Sequence, residues 1–215
     1  MTTLTEKLHS GGFLISEASG HRSRDNKVLI TGQNLLAATV LGLISVGSAS
    51  QAFAGTGNGV LTMDATNPVR TGAKVGAYTA TCITAAANSG TFRVEDPDGY
   101  VLGDVAVAAT FDDDIKFVIA DGATDFIVGD KFTITIAAGS GKATQLNVAA
   151  QNGSQYAAGI LLDAVDATSA DKACVLIARD AEVIDAEIVW PGGITGPQKT
   201  AAIAQLAALG IVLRA

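Results

Sequence analysis

The sequence predicts a mainly β protein with one short C-terminal helix and a small β-sandwich inserted into its main domain. Three observations carry this. Short runs of alternating apolar and polar residues recur at close spacing, Gly, Asp, Asn and Pro punctuate them, and helical punctuation appears near the C-terminus. Its 215 residues leave room for one large domain or two small ones. Hydrophobic residues make up 48% and aromatics 5%, so the expected core is built from Val, Ile, Leu and Ala.

Residues 1–27 are polar, contain Gly11, Gly12 and Gly20, and show no sustained period. They read as an extended arm with one apolar patch, Phe13-Leu14-Ile15, too small to fold by itself. "KVLIT" and "ATVLGLISVG" follow as strand-like pieces, and "QAFAGTGNG" marks a break in composition. The expected division is therefore an arm over 1–27, a discontinuous core over 28–51 and 141–215, and an insert over 52–140. Within the insert, "VGAYTATCI", "TFRVED", "VLGDVAVAA", "IKFVIA" and "DKFTITIA" place apolar groups on one face, as at Phe117/Ile119 and Phe132/Ile134/Ile136. Asp96-Pro97-Asp98-Gly99, Asp121-Gly122 and Gly129-Asp130 supply turns between them. A second β region carries "LNVAA", "AAGILLDAV" and "KACVLIARDAEV". The last helix starts either with a Thr195/Gln198 capping box or with Gly196-Pro197 as cap and first turn. Ile203, Leu206 and Leu209 form its narrow apolar stripe, Gly210 suits a left-handed stop, and "IVLRA" is a final strand.

Several function classes are disfavoured. The net charge of −7 argues against direct nucleic-acid binding, which needs Lys and Arg to neutralise phosphate. Charged residues are only 16%, which implies surface covered by a partner. A cleaved secretion signal is not expected at 35–55, because Gly42 and Gly47 interrupt a run that begins only after 34 residues. The same run falls short of a membrane span. Cys82 and Cys174 each lie inside an apolar run and read as buried thiols rather than a disulfide pair.

Motifs that imitate active sites are incomplete. "GSGK" at 139–142 lacks the upstream glycine at Ile136 and has Ala143 where a phosphate loop needs Ser or Thr. "GTGNGV" has no helix to follow it. "DDD" (112–114) and "DGATD" lack the alternation of a calcium loop and read as exposed acidic loops. His9 and His21 fall in the arm, which is a poor place to preorganise a general base or a zinc site. No nucleophile elbow occurs. No catalytic residue, metal or cofactor is expected. Trp190-Pro191 reads equally well as a core closure or as an interface anchor, with Pro191 ending the strand that delivers Trp190.

Three blocks taken in order, residues 24–42, 157–191 and 196–214, resemble the head decoration proteins of lambda-type tailed phages. Gly159-Ile160-Leu161, Asp166, Thr168, Trp190 and Pro191 carry the likeness, over roughly residues 20–50 and 143–215. The compact members of that family lack anything like the insert. The resemblance implies a β-clip-like core that forms homotrimers at three-fold positions on the outer surface of the virion capsid, bound to the major capsid protein. It also implies stabilisation of the shell against packaged DNA, and an N-terminal arm that orders on the capsid. On this expectation Leu8, Phe13, Leu14 and Ile15 form the capsid-binding segment, which adds a strand to a coat-protein sheet with Phe13 and Ile15 filling pockets. Trp190 and Pro191 are the anchor, at the trimer contact or the capsid face. The alternative is a virion-surface adhesion or carbohydrate-binding protein that uses the insert. A hydrolytic virion enzyme is disfavoured, because no acid/base pair is evident.

Overall fold

Alternation becomes strands wherever the chain can bury one face, and it does so twice, in two separate units. The computed structural model describes residues 9–215. Unit 1 comprises residues 1–44 and 141–215, and unit 2 residues 45–140. Unit 1 begins with β1 (Leu14–Glu17), β2 (Arg24–Leu29), β3 (Gln33–Leu35) and β4 (Val40–Leu43). Unit 2 follows with β5 (Val46–Ala54), β6 (Val60–Met63), β7 (Gly76–Ala86), β8 (Ser89–Glu95), β9 (Val101–Ala106), β10 (Thr110–Asp112), β11 (Lys116–Ala120) and β12 (Lys131–Ala138). Unit 1 then resumes with β13 (Ala143–Gln145), β14 (Gly159–Leu161), β15 (Val165–Ala167), β16 (Lys172–Ile177), β17 (Ala181–Ile184), α1 (Gly196–Ala208) and β18 (Ile211–Arg214).

In unit 1, β13-β2-β16-β14-β4 close into a barrel. Beside it, β17 lies between β1, which pairs antiparallel, and β18, which pairs parallel. Strands β15 and β3 form a two-stranded ribbon. Buried Leu29, Leu41, Leu161 and Leu176 fill one cluster, while Phe13, Ile160, Val183, Leu206 and Ile211 belong to another. Gly42 is required by close approach: a Cβ there would stand 2.3 Å from the Ser154 carbonyl oxygen.

In unit 2, β5-β12-β7-β8-β9 form one sheet and β10-β11-β6 another, and both contribute to a single core. Tyr78, Phe92, Phe117, Phe132 and Ile134 point into it from alternate positions. The aliphatic core expected from composition needs correcting here. Six of the seven phenylalanines lie in unit 2 and none in it is exposed, with Phe53 and Phe132 4.8 Å and Phe92 and Phe126 5.0 Å apart. A low overall aromatic content hid their concentration in one unit.

Two expected boundaries shift. The units part after Ile44 rather than at 51/52, because β5 pairs along its length with β12. Residues 14–27 are not an extended arm, since β1 and β2 are both hydrogen-bonded strands of unit 1. In α1, Ala202 and Leu206 are the buried residues, and Leu209 lies at the exposed C-cap. Among the described residues no helix is long and apolar enough to cross a membrane.

Candidate functional site

The leading segment is aimed by a glycine turn. Gly12 N–H donates to His9 O at 2.9 Å, Leu14 N–H to Gly11 O at 2.9 Å, and Gly11 takes φ +65°. The turn drives Phe13 into the unit 1 core, where it is 0% exposed beside Val183 and Leu206. This corrects the expectation that Phe13 fills a pocket on a partner: its side chain is consumed by its own chain. Leu14 is half-buried and packs against the same cluster. Ile15 is 52% exposed and sits at a register shift between Leu14 and Ser16. Leu8 lies outside the described residues.

Strand β1 is an outer strand of its sheet, with one edge on β17 and the other unpaired among the described residues. Charge clamps hold it in place. Glu17 accepts hydrogen bonds from Arg24 Nε at 2.9 Å and from Ser23 Oγ, and the Arg24 guanidinium, followed by the Ser23 hydroxyl, holds its carboxyl down at about 2. Ser16 Oγ donates to Glu182 at 2.9 Å, and Arg214 donates to the same carboxylate, which lowers its pKa. These partners are far apart in sequence and carry no motif, so sequence reading misses them. Exposed Ile15 on β1 and Val212 on β18 add apolar surface to a sheet otherwise dressed by this polar trio.

Trp190 is strapped to the barrel by its predecessor: Val189 N–H donates to Ala38 O at 3.0 Å and Val40 N–H to Val189 O at 3.1 Å. The indole is half-buried against the unit 1 core, with Lys199 Nζ 5.1 Å above the ring. Lys199 also reaches Asp185 at 3.6 Å. Pro191 O accepts from Ile194 N–H at 3.3 Å, opening the turn into α1. At its start Gln198 Oε1 accepts from Thr195 N–H at 2.9 Å. Trp190 and Pro191 therefore close the core rim, and they are not brought together with Ile15 by any contact described.

Unit 2 offers an open groove of about 380 Å³ on its three-stranded sheet, lined by Thr62, Asp64, Thr110, Asp112, Lys116 and Val118 among others. Arg70 grips Asp112 through Nε at 2.8 Å, and Lys116 reaches Asp64 at 3.3 Å and Asp112 at 3.7 Å. The carboxylates are thereby held below their usual range, Asp112 chiefly by Arg70 and Asp64 chiefly by the backbone N–H of Asn67. Among the described residues no group of His, Cys, Asp or Glu is arranged to hold a metal ion.

Comparison with known proteins bears on these surfaces. A family model described as bacteriophage lambda head decoration protein D matches residues 3–211. No curated protein matches the chain. Two crystal structures of Xanthomonas campestris FlgL, in space groups H3 and C2, are similar at 18% identity and a TM-score of 0.31 over 47% and 51% of this chain. The chain spans 33% of their length, and a likeness this low carries no argument.

Proposed function

This chain belongs to the family of bacteriophage lambda head decoration protein D, and from that premise we propose how it holds a capsid. Membership gives it a structural, capsid-decorating role on a phage head. In the proposed mode, trimers sit at three-fold positions on the outer surface and stabilise the shell against DNA pressure without bond-making chemistry. The major capsid protein is the partner. The observation that supports the mode is the unpaired outer edge of β1, with exposed Ile15 beside it. A coat-protein strand laid along that edge gains main-chain hydrogen bonds, and Ile15 supplies an apolar contact. Residues 1–8, the rest of the leading segment, belong to the proposed foothold. Each foothold is weak, because a short strand adds only a few main-chain hydrogen bonds, each of small net worth against water. Three linked footholds raise avidity by about 10²–10⁴ where the geometry allows all to engage.

The test is co-sedimentation with expanded empty heads of the same phage. Ile15→Asp, and separately removal of residues 1–8, should leave the far-UV spectrum unchanged and weaken decoration. Phe13 is unsuitable for this purpose, since a charge in the core would unfold the unit. Decoration by both variants at full-length levels would overturn the edge mechanism.

The groove on β6, β10 and β11 favours a second role for the insert, adhesion or carbohydrate binding at the virion surface. Its volume of about 380 Å³ lies in the range of ligand sites, and its hydroxyls and paired charges suit a neutral, hydroxyl-rich ligand. Full-length protein on a glycan array should retain neutral oligosaccharides and lose them on Thr62→Val with Thr110→Val. Absence of retention removes this role and leaves capsid decoration standing.

A further inference from the structure

A sheet edge is a row of unpaired backbone donors and acceptors, and proteins ordinarily blunt it with charge, proline or brevity. The edge strands β1, β3, β6, β10, β15 and β18 run four residues or fewer. At one end of the five-stranded sheet, β9 carries Asp104 in an ion pair with Arg93. At the other end is β5, nine residues "VGSASQAFA", with neither a charge nor a proline. Its one strand partner is β12, and none of its backbone groups bonds elsewhere among the described residues. Ser48, Ser50, Gln51, Ala52 and Ala54 are all exposed.

We propose that β5 is a self-pairing edge, through which two copies of this chain join antiparallel over Ala49–Phe53, centred on Gln51. The register follows from the strand itself. A bulge between Val46 and Ala49 twists the first residues away and leaves Ala49–Ala54 regular against β12. Directly opposed residues of an antiparallel pair share a face, so the centre must fall on a residue for the two inner faces to be continuous. Centring on Gln51 sets Ala49 opposite Phe53, Ser50 opposite Ala52 and Gln51 opposite itself. Small thus meets large on the inner face, where the Phe53 ring is already fixed 4.8 Å from Phe132 and 6.0 Å from Phe126. An uncharged strand also pairs with itself free of the like-charge opposition that penalises self-pairing of charged strands. With no charge to select a foreign strand, its own copy is the occupant it fits.

The proposal does not depend on the capsid reading, and solution measurements on the full-length chain test it. Native Cys82 and Cys174 are buried and free, so an added surface thiol reports cleanly. Under mild oxidation the Gln51→Cys protein should give a covalent dimer several-fold faster than Ala54→Cys, whose thiols lie three residues off the centre on each strand. Gln51→Lys, which sets like charges face to face, should lower the mass seen at sedimentation equilibrium. Cross-linking at position 51 no faster than at 54 overturns the register. A Gln51→Lys protein that self-associates as wild type does overturns the pairing itself.

Discussion

Asp130 sits 2% exposed at the foot of β12 and organises the glycine-rich loop before β6. Its carboxylate accepts the N–H groups of Thr56 and Gly57, both at 2.9 Å, and of Ile127 at 3.1 Å. Burial pushes the carboxyl pKa up, but these three donors outweigh it and hold the group below its usual range. A pKa lower in the folded than in the unfolded chain contributes stability that is complete above the unfolded value of about 4 and is lost as pH falls through the folded one. Asp130→Asn sets an amide donor against backbone donors and should cost on the order of 2–3 kcal/mol in urea unfolding at pH 7. The deficit should shrink as the pH is lowered toward 3; a deficit independent of pH would mean that packing, and not the charge, is what matters. In the sequence, Asp130 looks like any turn aspartate after a glycine, because nothing local records donors 73 and 74 residues upstream. Phe13 misleads for a related reason. An apolar triplet flanked by glycines has the same composition whether it enters its own core or a partner's.

Single strands extend the point. Alternation over five or more residues made β7, β8, β11 and β12 legible, whereas β3, β10, β13, β14 and β15 span three residues each and have no period to detect. Residues 46–51 of β5 read as main core and 52–54 as insert, because the apolar character of β4 continues into β5 without a break. The leading strand β1 shows how an element is secured by charge rather than by its own propensity. Its Glu17 is half-buried between Ser23 and Arg24 and titrates at about 2 in the folded chain. Against an unfolded glutamate near 4.3, its contribution is whole above that value and disappears as pH falls toward 2. Glu17→Gln should therefore lower the melting temperature at pH 7 and flatten the acid limb of the stability curve between about pH 4 and 2. Hydrogen exchange of the β1 amides should quicken in the same variant. Unchanged exchange there would show that Phe13, not Glu17, fastens the strand.

Taken whole, the chain is one domain interrupted by another. Ile44 N–H donates to Lys142 O at 3.0 Å and Gly141 N–H to Ile44 O at 2.9 Å, while Gly139 N–H donates to Ser45 O at 3.0 Å. The two crossings are thus neighbours at the junction, and the ends of unit 1 left by removing the insert are already in hydrogen-bond contact. Joining Ile44 to Gly141 through two glycines should give a shortened chain that unfolds cooperatively and retains head binding. A molten product would show that unit 1 needs the insert to close its barrel. The composition break at "QAFAGTGNG" suggests a division of the chain but lies several residues past the one between the two units, and nothing in the sequence suggests barrel closure. It depends on pairings such as Ala143 with Leu29, which join residues more than a hundred positions apart.

The interruption also sets a timetable. During synthesis β2 and β4 leave the ribosome long before β13, β14 and β16, which they need in order to close. At roughly 5–20 residues per second, translating the intervening stretch of about a hundred residues takes some 5–20 s. Throughout that wait the aromatic unit can finish folding, while the early barrel strands stand open and must be kept from the wrong neighbours by chaperones or by dilution.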